Sequence, residues 1–392
     1  MSQTNIKSAL HYTPRDYEIF VGVDVDKKKF VVTMMDHANT RKTLTMPYSA
    51  DQLIRSVRSR FPGQRPIFAY EAGPTGYGLY DQLTQEKYRC LVVSPSMIPR
   101  PANELVKTNR LDSLKIAENL RGGQLKSIHV PSVPYRHLRY LVQLRDVGMK
   151  SVTAHKCRIK ALLLMEGVPF PALAGDVQWT RAVLVRLKEL PCAPAVRFKL
   201  DQLLAALEFS RHQVLSAQRE IRRFCSQDEE ISRCLGYLRS VPGIGAITAA
   251  HFLARVGDWR LLNNIRSMAA FVGLVMCENS TGDRVRRGSI TTAGDPRLRQ
   301  KLVQAAWVAI RKDAEMREFY RRIYRSNPRD YAACKAIVAV ARKMTMRLHT
   351  VLKEQRPYEI REVPMTPLAT EETIRPRERL DVTVESGDLI YA

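Results

Sequence analysis

Acidic residues are in short supply in this chain: 39 Asp and Glu stand against 63 Lys and Arg, giving a formal charge of +24 and a pI near 10.0. The excess base runs through the whole sequence and is not gathered in one tail, so a polyanion is the natural partner. Cysteine is equally sparse. The seven (Cys90, Cys157, Cys192, Cys225, Cys234, Cys277, Cys334) are scattered, odd in number and form no C-x-x-C pair. That argues against a disulfide framework and a zinc site and points to a reduced compartment. Long apolar runs are missing too; Ala161 to Met165 is typical, far too short to cross a bilayer, and no basic-then-apolar leader opens the chain. A cytoplasmic protein without a membrane partner is expected.

What is present falls into regions. After a polar lead-in, Ile19 to Val25 and Phe30 to Asp36 read as strands joined by a basic turn, with Lys42 to Met46 a third. A helix carrying Leu53, Ile54 and Val57 follows, capped by Ser49. Pro66 to Glu71 and Cys90 to Val93 read as strands, Tyr77 to Gln85 and Leu111 to Leu120 as helices. Three strands in a meander followed by α-β-α-β-α is the order of a ribonuclease-H-like α/β fold. Composition changes at Pro131. Tyr135 to Glu166 then reads as one helix, stopped by Gly167, and Ala195 to Phe224 as another. In the latter, Leu200, Leu203, Leu207, Ser210, Val214, Ala217, Ile221 and Phe224 form a heptad seam, which predicts a coiled coil with the preceding helix or with another protomer. From Ile231 onward helices dominate, interrupted by a Gly/Arg-rich loop or hairpin over Cys277 to Gly294, and resume as Pro296 to Phe319 and Tyr331 to Lys353. The expected division is 17–131, 132–230, 231–358 and a polar tail, 359–392.

Asp24 sits inside an apolar strand, where Asp is disfavoured unless it is paired or binds metal. Glu71 lies where the next buried strand gives way to Ala72-Gly73-Pro74, and Asp112 near the start of a helix. Converging carboxylates are what two-metal phosphodiester chemistry requires. Gly243-Ile244-Gly245 reads as the loop of a helix-hairpin-helix, whose free amides bind phosphate without reading bases. Between Glu278 and Gly294, Ser280 and Thr281 stand beside Arg284, Arg286 and Arg287, a setting for phosphate contact or for a hydroxyl nucleophile.

Taken together, Val21-Gly22-Val23-Asp24-Val25, Tyr70-Glu71-Ala72, Lys107 to Ser113, Ser240 to Gly245 and Phe271 to Gly294 resemble the DEDD transposases of bacterial insertion sequences, the IS110 family, over residues 19 to 355. The resemblance implies a RuvC-like domain, a helical insert and a C-terminal transposase domain. It further implies that Asp24, Glu71 and Asp112 bind Mg2+, with Mn2+ a possible substitute, and that Ser280, or Thr281 in its place, attacks DNA. Donor and target DNA, a structured guide RNA and further copies of the chain, as dimer or tetramer, would be the partners, and the chromosome the place of action. One position departs from the family pattern. Asn109 stands where an acid is usual, offering a carbonyl oxygen without the charge. Asp26 could compensate or serve as a turn residue.

Three other readings stay open at this level. A RuvC-like nuclease or junction resolvase would leave hydrolysed ends, and a non-catalytic nucleic-acid-binding protein would not cut. An actin-like sugar kinase fits poorly with the charge and with the missing later glycine-rich loop.

Overall fold

A mixed sheet is the first large element of the chain. The computed structural model describes residues 12–99, 109–171, 179–262, 264–279, 281, 286–291, 293–327 and 329–360. Strands β1 (Ile19–Val25), β2 (Lys29–Met35) and β3 (Arg41–Pro47) form the expected antiparallel meander, turned at Asp26, whose carboxylate accepts the Lys27 N–H at 2.6 Å. Helix α1 (Ala50–Arg60) starts where Ser49 accepts the Gln52 N–H. β4 (Pro66–Glu71), α2 (Gly78–Gln85) and β5 (Arg89–Val93) follow, with β4 and β5 parallel to β1, and α3 (Asn109–Arg121) closes the unit. The strand order β3-β2-β1-β4-β5 is that of the ribonuclease-H-like fold. Strand alternation divides the apolar residues between two layers. Val21, Val23, Phe68 and Tyr70 pack on the side of α1 and α2, while Phe20, Ile67, Ala69 and Leu91 pack on the side of α3.

Two long helices come next, α4 (Val133–Met165) and α6 (Pro194–Gln227), with a short α5 (Arg181–Glu189) between them that periodicity did not reveal. Its signal was present in Thr180, whose hydroxyl caps the Val183 N–H, but nine residues are too few for a clear apolar stripe. The seam side of α6 packs against α4 of the same chain. Leu204 and Cys225 replace Leu203 and Phe224 as fully buried members, because a straight helix of 3.6 residues per turn drifts from a 3.5 repeat. The pair is antiparallel: Val142 shares a core with Ile221, and Ile159 shares one with Leu200.

The remaining elements are α7 (Glu229–Ser240), α8 (Ala246–Val256), α9 (Ile265–Val272), β6 (Met276–Glu278), β7 (Arg287–Ile290), α10 (Pro296–Lys312), α11 (Ala314–Arg325) and α12 (Arg329–Glu354). Their core takes in Tyr135, Leu138 and Val142 from α4 and Ile221 and Cys225 from α6, so packing is continuous across residue 230. The single helix expected over Pro296 to Phe319 is two, broken at Asp313. That carboxylate caps α11 through the Met316 N–H, is fully buried, pairs with Arg347 at 2.8 Å and accepts the Tyr358 hydroxyl at 3.0 Å. Capping and a buried ion pair together outweigh helix continuity. Asp313→Ala is therefore expected to lower unfolding stability by about 2–4 kcal/mol, because α11 loses its cap and Arg347 is left with Glu315 as its one carboxylate partner among the described residues; chemical denaturation measures it, and a loss under about 1 kcal/mol would contradict it. Tyr358 also donates its N–H to the Ser240 hydroxyl at 2.7 Å, which anchors the segment after α12. The expected tail, apart from residues 359 and 360, lies outside the described residues.

Candidate active site

On β1 the residues Phe20, Gly22 and Asp24 share one face, and on β4 Ile67, Ala69 and Glu71 share the same one. Helix α3 lies on that face and approaches closest at Gly22. A Cβ there would stand 2.2 Å from the Ser113 carbonyl oxygen and 2.5 Å from the Ala117 amide nitrogen, so only glycine admits the helix at this depth. The buried Ser113 hydroxyl bonds Thr33, the register partner of Gly22, at 2.9 Å, and Thr33 bonds Thr43 at 3.0 Å, tying the helix to β2 and β3.

Direction follows from these contacts. Phe20 packs with Ile116 and Leu120, and Gly22 meets Ser113 and Ala117. Ascending β1 therefore means descending α3, and the next inward residue, Asp24, comes toward the first turn, Asn109 to Asp112. Across the sheet Val23 pairs with Tyr70, so Asp24 and Glu71 follow one step on in adjacent parallel strands. Both are half-buried, as is Asp112, which lies 3.8 Å from Lys115, while Asn109 is exposed. Asp26 is exposed and held in its turn. The acids share an edge and a face without closing into a cluster: among the described residues no three His, Cys, Asp or Glu side chains stand within reach of one metal ion. As a donor set, hard carboxylates with one amide suit a divalent cation such as Mg2+. Beside them, a cleft of about 260 Å3 is bordered by Lys27, Tyr48, Pro74 and Thr75. Lys27 follows Asp24 by three residues and Thr75 follows Glu71 by four, so the cleft opens at the same sheet edge. Tyr48 and Thr75 escaped the sequence reading, since nothing local marks them.

The Gly243 to Gly245 loop links α7 to α8. Gly243 has φ +90°, and a Cβ on it would come 2.4 Å from the Ala305 carbonyl, so this glycine lets the loop pack on α10. Ile244 is buried. Gly245, at the start of α8, faces open space.

In the β6–β7 hairpin the Asn279 N–H donates to the Arg286 carbonyl at 2.9 Å; Thr281 and Arg286 are exposed, and Arg287 begins β7. Ser280 and Arg284 lie outside the described residues. The base of this loop is fixed by contacts the sequence alone did not disclose. Gly273, in the left-handed region, lies so close to Gly294 that a Cβ on the latter would be 2.5 Å from the Gly273 nitrogen. The Arg299 guanidinium donates to the Gly273 and Ala293 carbonyls, both at 3.3 Å. Asp295, next along, caps α10 and pairs with Arg255. Burial pushes its carboxyl up, but the Leu298 N–H and Arg255 outweigh that and hold it below the usual range.

A five-stranded sheet of this order, with carboxylates at the edge of its central parallel strands and a helix laid over them, defines a ribonuclease-H-like domain. The model of the DEDD transposases of IS110 elements matches residues 21–166, and that of the transposase IS116/IS110/IS902 family matches residues 236–321. The y4qE protein of Sinorhizobium fredii, whose name assigns it to the transposases, is 32% identical over 302 residues, covering 74% of this chain and 72% of its own. The transposase for insertion sequence element IS1328 of Yersinia enterocolitica is 25% identical over 297 residues, 74% of this chain and 84% of its own. The chain belongs to the IS110 family of DEDD transposases.

Proposed function

We propose that this insertion-sequence transposase cuts and rejoins DNA with a serine nucleophile and a divalent metal. The observation that carries the reading is the placement of Asp24 and Glu71 one step on in adjacent parallel strands, toward the first turn of α3. Asp24, Glu71 and Asp112 would hold Mg2+, with Asn109 contributing a neutral oxygen and Mn2+ a possible substitute. When bound, the metal supplies Lewis-acid stabilisation of phosphate charge. Lys27 and Thr75 hold the backbone of the strand in the adjoining cleft, and Gly245 offers its helix-start amide to a further phosphate.

Ser280 attacks the phosphorus, with Thr281 the alternative. The Oγ–P bond forms as one ester P–O bond breaks, and the departing sugar oxygen takes up a proton. One phosphodiester replaces another, so the energy for rejoining stays in the protein–DNA link. Arg284, Arg286 and Arg287 offset the charge on the phosphoryl oxygens. The α4–α6 pair acts as a coiled-coil spacer between a RuvC-like domain and the C-terminal transposase domain with its helix-hairpin-helix. Acids of one protomer complete the serine site of another in a dimer or tetramer. A structured RNA from the element's flanks selects donor and target DNA.

The test is a trapped reaction on element-end DNA. Wild-type protein should yield a covalent DNA adduct at Ser280, and Ser280→Ala should abolish it along with recombination. Normal recombination by Ser280→Ala, or free hydrolysed ends without an adduct, would overturn the serine assignment. RNA that co-purifies with the full chain and is required for target choice tests guidance.

A further inference from the structure

The outer side of the α10–α11 hairpin carries exposed rings in a cationic surround, and the proposed reaction makes no use of it. Trp307 of α10 and Tyr324 of α11 are 38% and 42% exposed. Between them lies the buried ring of Tyr320, 5.9 Å from Trp307 and 6.0 Å from Tyr324, nearly parallel to the latter at 21°. The three rings thus form a short ladder with its two ends open to solvent. Exposed aromatic faces of this kind are surfaces on which unstacked bases can lie.

The charge around them decides the kind of partner. Arg311, Lys312 and Arg325 are exposed, and none of them is ion-paired within the described residues. The nearby acids are taken: Asp313 pairs with Arg347, and Glu315 with Lys343 and Arg347. Glu318 is the one exposed acid on the two helices. The Arg311 Nε donates to the Trp307 carbonyl at 3.1 Å, which holds that guanidinium next to the ring with no carboxylate on it among the described residues. Rings beside cations that lack an acidic partner suit a ligand that is both flat and anionic. A nucleic-acid strand with its bases unstacked is such a ligand, whereas duplex DNA hides its base faces.

We infer that this face is a stacking platform for single-stranded nucleic acid, with bases laid on Trp307 and Tyr324 and phosphates held by Arg311, Lys312 and Arg325. The inference rests on the chain being a nucleic-acid-processing enzyme, but not on its acids or its serine. Unpaired DNA and the loops of a structured RNA share the required chemistry.

The experiment uses the full chain in EDTA, where cleavage plays no part, with labelled oligo(dT) and oligo(rU) of roughly 15 nucleotides. Binding should quench tryptophan fluorescence, and Trp307→Ala and Tyr324→Ala should each weaken it roughly 5- to 100-fold with the salt dependence kept. Arg311→Gln with Arg325→Gln should weaken binding and flatten the salt dependence. Trp307→Phe should retain most of the affinity. Tighter binding of one oligonucleotide identifies the source of the strand, DNA or RNA. Photocrosslinking of bromouridine to Trp307 or Tyr324 in the unaltered protein gives a readout that no folding defect can imitate. Unchanged affinity in the folded ring variants, with no crosslink at either ring, would overturn the inference. So would a change of oligomeric state in Trp307→Ala with oligonucleotide binding intact, since the face would then be a protein contact. Metal-dependent cleavage, assayed separately, reports on the acids alone and distinguishes their failure from that of the platform.

Discussion

Asp24→Asn is expected to reduce metal-dependent DNA cleavage about a thousandfold, the equivalent of roughly 4 kcal/mol of lost charge stabilisation. The substitution keeps size and shape and removes one negative charge from the sheet edge that Asp24 shares with Glu71. The fold should survive, because the apolar layers on either side of β1 are untouched; a change in melting temperature beyond about 4 °C is not expected. Raised Mg2+ or Mn2+ should recover part of the rate, since the amide still offers an oxygen. A single-turnover cleavage assay across a metal titration measures this. Cleavage at the full rate at ordinary Mg2+ would remove Asp24 from the metal site.

Gly22→Val is expected to damage both stability and activity, although residue 22 contacts no substrate in the proposed reaction. Any side chain here drives into the Ser113 carbonyl and the Ala117 amide, which are backbone and cannot rotate away. Either α3 lifts from the sheet, breaking the Ser113–Thr33 hydrogen bond, or β1 shifts. Overpacking of this kind costs up to about 3 kcal/mol or more. Because α3 carries Asp112, a displacement of about 1 Å at its first turn should lower cleavage by at least about 100-fold even below the melting transition. Denaturation and cleavage measured on the same preparation check the two effects. A variant that melts like wild type and cleaves normally would show that α3 does not set the position of Asp112.

Much of the first domain was legible residue by residue. Strand alternation, the Ser49 cap and the placement of Glu71 at a strand end are local signals, and each element appears within a residue or two of its expected bounds. The candidate acids were legible for the same reason, Asp24 because an acid in an apolar strand conflicts with its neighbours. The break at Asp313 was not, because the charge that favours it, Arg347, lies 34 residues further on. Gly243 looked like a phosphate-binding glycine and is used in packing against α10, a distinction that depends on where Ala305 comes to lie.

By itself, then, the sequence determined the excess of positive charge, the order of strands and helices in the first domain through periodicity and caps, and which acids are candidates for a cation. These depend on composition and on neighbours a few positions apart, within reach of hydrogen bonding and side-chain propensity. Only the tertiary structure decided that α3 descends onto β1 at Gly22, that α6 packs along α4, and that Trp307, Tyr320 and Tyr324 form one ladder. Those outcomes join elements remote in the chain, and shape complementarity between surfaces, which no local pattern encodes, selects them.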